Sequence, residues 1–345
     1  MAHIAIVMVG FGNVGRALAR LLLRKRDLLE TQYDLTFQVN AIAASRRGAA
    51  IDPAGLDLER ALAMVESAHA LAALPPRPAP SAPHGPASVR ACLTTVLFEN
   101  TPVNVENGRP AADHLRAALE SGMHAITANK GPVVHAYAEL TALAGLRGRR
   151  FLFESAVMDG APIFSLFRGP LPAAELRGFT GILNSTTNMI LEMMEQGKTF
   201  EQAVAHCQQI GIAETDPSGD VDGWDASIKV AALSTVLMGI PLKPQQIERS
   251  GIRAITPRMI AEAAAAGERW KLVCSARREG DRVHGQVAPR RVAPTSPLYS
   301  ISGTSSYVQF ETDVLPGLGI VESDPGPETT AYGLLADLIN AMRGG

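Results

Sequence analysis

Residues 10–15 read Gly10-Phe11-Gly12-Asn13-Val14-Gly15, set between the apolar run Ile4 to Val9 and a stretch in which Val14, Leu18, Leu21 and Leu28 recur at helical spacing against polar Arg16, Arg20 and Arg24. That order is strand, glycine turn, helix. In a dinucleotide-binding turn the first glycine makes the tight bend, the second lets backbone amides approach a pyrophosphate, and the third allows close helix packing. The spacing alone is a weak signal, but its place directly after a strand and at the start of a helix is the context that the chemistry requires. From Thr36 to Ala43, Phe37, Val39, Ala41 and Ala43 alternate with Thr36, Gln38, Asn40 and Ile42, which predicts a second strand and completes a βαβ unit.

The end of that second strand decides between the two nicotinamide dinucleotides, because an Asp or Glu there accepts hydrogen bonds from the ribose 2′-hydroxyl of NAD. The sequence instead has Ala44, Ser45, Arg46 and Arg47. A guanidinium beside a hydroxyl suits a 2′-phosphate, so NADP is favoured over NAD, with Ser45 and Arg46 as its contacts. If the two arginines are solvated loop charges, the choice stays open.

At 345 residues the chain is about twice the size of a typical domain, so two domains are expected. Its 32 Lys and Arg against 34 Asp and Glu leave a net charge of -2, with no field to attract nucleic acid or an anionic membrane. A hydrophobic share of 46% with 19% charged residues excludes a disordered chain. No apolar run approaches the roughly 18 residues of a membrane span, and no basic stretch followed by an apolar core opens the chain; a cytoplasmic protein is expected. Cys92, Cys207 and Cys274 lie far apart, unlike zinc or redox pairs, and read as buried thiols.

Downstream, residues 72–90 carry Pro75, Pro76, Pro78, Pro80, Pro83 and Pro86 and read as an exposed loop. Ala91 to Phe98 reads as a buried strand, Pro110 to Ser121 as a helix closed by Gly122, and His124 to Thr127 as a strand ending at Ala128-Asn129-Lys130. A helix is predicted from Thr199 to Gln209, with Thr199 and Gln202 as a capping box, and a terminal helix from Ala331 to Met342.

Between Gly211 and Lys229 stand five carboxylates, Glu214, Asp216, Asp220, Asp222 and Asp225, and one lysine. A purely structural reading has Asp222 capping a helix, Asp225 favouring its dipole, and Asp225 with Lys229 as an i,i+4 pair contributing about 0.2–0.5 kcal/mol. A functional reading starts from repulsion, since like charges gathered in a loop need a cation to offset them. A substrate ammonium would do so, and Lys229, one turn beyond Asp225, would exchange a proton with a substrate oxygen. Lys130 is the second candidate of this kind, against the alternative of a surface charge at a strand end.

With Asn100-Thr101-Pro102, Thr127 through Lys130, Gly181 through Asn188, and Ala213-Glu214-Thr215-Asp216-Pro217 through Lys229 in order along the chain, the sequence resembles the homoserine dehydrogenase family. Thr330-Ala331-Tyr332 through Asp337 is similar to the family's closing helix. The resemblance implies an α/β fold: an N-terminal Rossmann dinucleotide-binding domain over residues 1–152, an α+β catalytic and dimerisation domain over 153–327, and a helix at about 328–345 returning to the first. It implies a homodimer that interconverts L-homoserine and L-aspartate 4-semialdehyde in threonine and methionine biosynthesis. Lys229 matches the acid-base lysine and Lys130 the second active-site lysine, with Glu214, Asp220, Asp225 and Thr186 around the substrate. Gly10, Phe11, Gly12, Asn13, Val14, Gly15, Ser45, Arg46, Asn100, Thr101, Pro102 and Lys130 would line the cofactor. A sodium or potassium site is implied at Glu154 and Val157, extending to Asp159 and Ala161 and built mainly from backbone carbonyls.

The chain departs from the family pattern at Met158 and Asp159, at Ser185 in place of glycine, and across Ser323 to Pro327. Those at Ser185, Met158 and Asp159 favour the nearest rival, a paralogous dehydrogenase of another small amino or hydroxy acid. A dinucleotide sensor without catalysis would need neither lysine. The expectation is the short form of the family, without an ACT or aspartate kinase segment.

Overall fold

A computed structural model describes residues 1–74 and 94–343. Its first unit, residues 1–160 and 326–345, grows around β1 (Ala2–Val9), whose Ile4, Ala5, Ile6 and Met8 are buried as a strand covered on both faces requires. The chain continues through α1 (Asn13–Arg24), α2 (Arg26–Tyr33), β2 (Leu35–Ala44), β3 (Gly48–Ile51) and α3 (Leu58–Glu66). It then runs through β4 (Thr94–Glu99), α4 (Ala111–Glu120), β5 (His124–Thr127), α5 (Lys130–His135), α6 (Tyr137–Leu146) and β6 (Phe151–Leu152). The sheet order is β3-β2-β1-β4-β5-β6. All pairings are parallel except β2 with β3, a hairpin. Because β1 lies between β2 and β4, the strand order reverses there, and in such sheets the crevice beyond the carboxyl ends is where ligands bind.

One helix through Leu28 is not what forms. Lys25 leaves helical geometry at φ -99 and ψ 8, and the chain restarts as α2, which carries Leu29 into the core. The Pro-rich segment lies outside the described residues beyond its first three positions, as do Cys92 and residues 91–93 of the expected strand.

The second unit, residues 161–325, contains α7 (Phe164–Arg168), β7 (Leu176–Ile182), α8 (Ser185–Glu195), α9 (Phe200–Gln209), α10 (Ser218–Val221) and α11 (Trp224–Leu237). They are followed by β8 (Glu248–Arg249), α12 (Pro257–Ala265), β9 (Arg269–Glu279), β10 (Arg282–Val292), β11 (Ser306–Thr312) and β12 (Leu318–Glu322). Its sheet, β12-β11-β7-β9-β10-β8, is antiparallel except for β8 with β10. Helix α11 packs on β9 and β10, and its residues Ala226–Ile228 and Val230–Thr235 are buried, which is why it reads as an apolar stretch rather than an amphipathic one. Thr199 and Gln202 form the capping box of α9.

The chain closes with α13 (Pro327–Met342) in the first unit, packed on α1, with Ala331, Leu334, Leu335, Leu338 and Ala341 in the same core as Ile4, Ile6 and Met8. Residues 154–159 fasten it. The Glu154 amide donates to Asp337 Oδ2 (2.7 Å), Ser155 Oγ donates to the Thr330 carbonyl (2.7 Å), and Asp159 accepts from the hydroxyls of Thr329 (3.3 Å) and Thr330 (2.9 Å). No helix among the described residues is long and apolar enough to cross a membrane.

Asp159 holds its place at φ 43, a left-handed conformation that few side chains adopt. Asp159→Ala keeps that strain and loses both hydroxyl contacts. It is expected to weaken the docking of α13 by about 1–3 kcal/mol, read as faster amide hydrogen exchange along α13 than elsewhere in the unit.

Candidate active site

In the first unit the three glycines of the turn meet different surroundings. Gly10 sits at φ +92, and a Cβ there would fall 2.4 Å from the Asn100 backbone carbon. A Cβ on Gly15 would fall 2.4 Å from the Gly10 carbonyl oxygen, whereas one on Gly12 would meet nothing within 4 Å. The outer two therefore close the turn, and the middle one faces open space. Gly12 is also the N-cap of α1 and offers no side-chain cap, so the amides of the first turn remain available to an anion.

Asn100, at the carboxyl end of β4, has both side-chain polar atoms buried without a hydrogen-bond partner among the described residues. An uncapped helix N-terminus, open space over Gly12 and an orphaned amide beside Gly10 together fit a dinucleotide. Asn129 ties the adjoining loops, its Nδ2 donating to the carbonyls of Thr101 (3.0 Å) and Pro102 (3.3 Å) and its Oδ1 accepting from the Gly131 amide (2.9 Å). That cap starts α5, of which Lys130 is the first residue.

Beneath the loop lies Glu99, fully buried and not singled out from sequence, although a carboxylate closing the apolar run Val96-Leu97-Phe98 was a visible signal. It accepts from the Thr101 amide (3.1 Å), the Thr101 hydroxyl and the Thr127 hydroxyl (3.1 Å), and His114 Nδ1 lies 3.7 Å away. Burial pushes its carboxyl above the ordinary range. Ser45, Arg46 and Arg47 form the turn of the β2–β3 hairpin. Arg47 Nη1 is bound to the Ala68 carbonyl (2.6 Å), while Ser45 and Arg46 are exposed, and Arg46 makes no hydrogen bond or ion pair with the described residues.

In the second unit the five carboxylates separate. Asp220 on α10 and Asp225 on α11 converge on Asn184, whose Nδ2 donates to Asp220 Oδ1 (2.7 Å) and Asp225 Oδ2 (3.0 Å). Lys229 Nζ lies 3.2 Å from the same Asp225 oxygen and donates to the Leu183 carbonyl (2.6 Å). Burial first, and then the Asp225 charge, raise the Asp220 carboxyl above its usual pKa; Asn184, Lys229 and Thr186 oppose the rise. Thr186 is buried in the first turn of α8, and Ser185 is simply the first residue of that helix.

The remaining three acids do not bond to Asn184. Asp222 does not cap α11: Gly223, at φ +80, occupies the N-cap, and Arg253 and Arg249 take the Asp222 carboxylate and carbonyl. Asp216 accepts from the Ser218 amide (3.0 Å), and Glu214 is exposed, without an ion pair among the described residues. Cys207 and Cys274 are buried free thiols.

At the expected cation position Glu154 and Val157 are buried, and Asp159 is engaged by the two threonine hydroxyls; Ala161 opens the second unit. Among the described residues no three His, Cys, Asp or Glu side chains group to hold a metal ion, so a cation there would rest on Glu154 and backbone carbonyls.

Residues 10–154 match the family model "Homoserine dehydrogenase, NAD binding domain", and residues 162–339 match "Homoserine dehydrogenase". The chain is 34% identical over 341 residues to the NAD(+)-dependent homoserine dehydrogenase of Pseudomonas canavaninivorans, covering 99% of this chain and 96% of that one. It is 35% identical to the homoserine dehydrogenase of Methanocaldococcus jannaschii, covering 97% of each. A solved structure from Archaeoglobus fulgidus, assigned as a homoserine dehydrogenase, aligns with a TM-score of 0.82 at 32% identity over 98% of both chains.

The glycine geometry separates binding from folding. Gly12→Ala is expected to lower the thermal midpoint less than Gly15→Ala does while weakening dinucleotide affinity at least about 10-fold, because the new methyl enters the space a pyrophosphate needs. Gly15→Ala is expected to lower the midpoint itself. Calorimetric titration with each dinucleotide and a thermal melt distinguish the two.

Proposed function

Since the chain belongs to the homoserine dehydrogenase family, we propose that it interconverts L-homoserine and L-aspartate 4-semialdehyde, with Lys229 as the acid-base group. The observation that carries the reading is the meeting of Asp220, Asp225 and Lys229: two carboxylates suited to an ammonium group, with a lysine one helical turn from the second. When bound, the dinucleotide supplies the hydride acceptor or donor at its nicotinamide ring. In the reducing direction Lys229 Nζ gives a proton to the substrate oxygen; in oxidation it takes that proton back. Asp220, Asp225 and Thr186 hold the amino-acid end, with Glu214 as a further acid of the substrate site on the strength of the family match, and Lys130 is the second active-site lysine.

NADP is the proposed dinucleotide. The exposed Ser45 and Arg46 at the end of β2, with no acidic residue there, support a 2′-phosphate contact, while Arg47 is occupied by Ala68. The Pseudomonas canavaninivorans relative is described as NAD(+)-dependent, so the two cofactors must be compared directly. A sodium or potassium ion at Glu154, a homodimer, a cytoplasmic location and a place in threonine and methionine biosynthesis belong to the same reading.

The test follows NADPH and NADH oxidation separately with aspartate 4-semialdehyde, with and without added sodium or potassium. Turnover is expected, faster at limiting NADPH. Lys229→Ala is expected to lower kcat by at least about 10²-fold with dinucleotide affinity within twofold of the parent; near-normal turnover would remove Lys229 from the mechanism. Arg46→Ala is expected to raise the KM for NADPH about 10-fold and leave that for NADH unchanged. Equal effects on both cofactors would place Arg46 away from the 2′-phosphate.

A further inference from the structure

Asn184 was not among the residues singled out from sequence, and it is the residue on which the acidic pair turns. It follows β7 as the N-cap of α8 and is 3% exposed. Its Oδ1 accepts from the Thr187 amide (2.8 Å) and the Thr187 hydroxyl (2.8 Å), and its Nδ2 spends both protons on Asp220 and Asp225. Exchanging the amide's oxygen and nitrogen would set an acceptor against two carboxylates and a donor against the Thr187 N–H, so the hydrogen-bond pattern assigns its orientation. The preceding residue, Leu183, supplies the carbonyl that holds Lys229 Nζ. Two consecutive residues at the end of one strand thus set three groups on α10 and α11.

We propose that Asn184 is a positioning residue that allows Asp220 and Asp225 to be ionised side by side, and so controls the pH at which the site takes an ammonium substrate. The catalytic part of this inference rests on the homoserine dehydrogenase reading. The titratable groups around the amide are Asp220 on α10, Asp225 and Lys229 on α11, the Cys207 thiol on α9, whose pKa Asp220 helps to raise, and the Cys274 thiol on β9, which faces Lys229 and Asp225. Asn184 Nδ2 donates to both carboxylates. Removing that donor takes a charge-assisted hydrogen bond from each acid, and each then holds its proton to higher pH.

Asn184→Ser separates this role from helix capping, because serine caps a helix about as well as asparagine but its hydroxyl is too short to bridge the pair. Carboxyl titrations of carbon-13-labelled aspartate, in the full chain, are expected to show Asp220 and Asp225 titrating about one unit higher in the variant. In parallel, the low-pH limb of the kcat/KM profile for homoserine is expected to move about one unit to higher pH, with the loss vanishing as pH rises above it and dinucleotide affinity unchanged. Unshifted aspartate titrations, or a loss of activity uniform across pH, would overturn the proposal and leave Asn184 as a helix cap. If Asn184→Ser does not fold, Asn184→Asp retains the cap and adds a third carboxylate. It must then raise the pair's titrations further, and unshifted values refute the proposal. Should the parent protein not oxidise homoserine at all, the functional reading fails while the aspartate titrations still decide what Asn184 does.

Discussion

Two carboxylates that share a single amide nitrogen in a half-buried site repel one another, and the second unit is arranged around that repulsion. Gly223 turns the chain sharply between α10 and α11 at φ +80, in a space where a Cβ would already press on Arg249 and Val287 at 3.3 Å. That turn carries Asp220 and Asp225, five residues apart, to one point. The Asn184 amide offsets part of their repulsion and Lys229 another part, yet burial first and the Asp225 charge second keep the Asp220 carboxyl above its usual pKa. A site in that condition gains when a cation arrives, since an ammonium group favours the ionised form of both acids.

The first unit answers a different demand, which is to bring backbone close to a polyanionic ligand. Gly10 and Gly15 are pressed against neighbouring backbone, and Gly12 is left open. Under the same edge of the sheet, Glu99 gathers Thr101 and Thr127, and Asn129 gathers the carbonyls of Thr101 and Pro102, so the loop after β4 is held by hydrogen bonds from below and from the side. That loop carries the Asn100 amide, which has no hydrogen-bond partner among the described residues and is open to one from a ligand.

Much of the framework was legible because it is local. The βαβ opening, the strand from His124 to Thr127 and the capping box of Thr199 with Gln202 all follow from residues within a few positions of one another. The meeting of Asp220, Asp225 and Lys229 was legible in part, through the density of acids before Lys229. What sequence could not show was how those acids divide. Asp222 is a good capping residue by type, but Arg253, 31 residues downstream, claims its carboxylate. Asn184 gains its importance from Asp220 and Asp225, 36 and 41 residues away. The break at Lys25 likewise has no glycine or proline to announce it; it follows from Leu29 entering the core.

The most direct measurement compares kcat/KM for L-homoserine with that for 4-hydroxybutyrate, which has the same alcohol and carboxylate but no amino group. If Asp220 and Asp225 receive the ammonium, homoserine is oxidised and the deamino compound loses about 10²-fold or more, because two carboxylates are left side by side without their counter-charge. Equal turnover of the two, or turnover of the deamino compound alone, would contradict the assignment of that pair to the substrate's amino group.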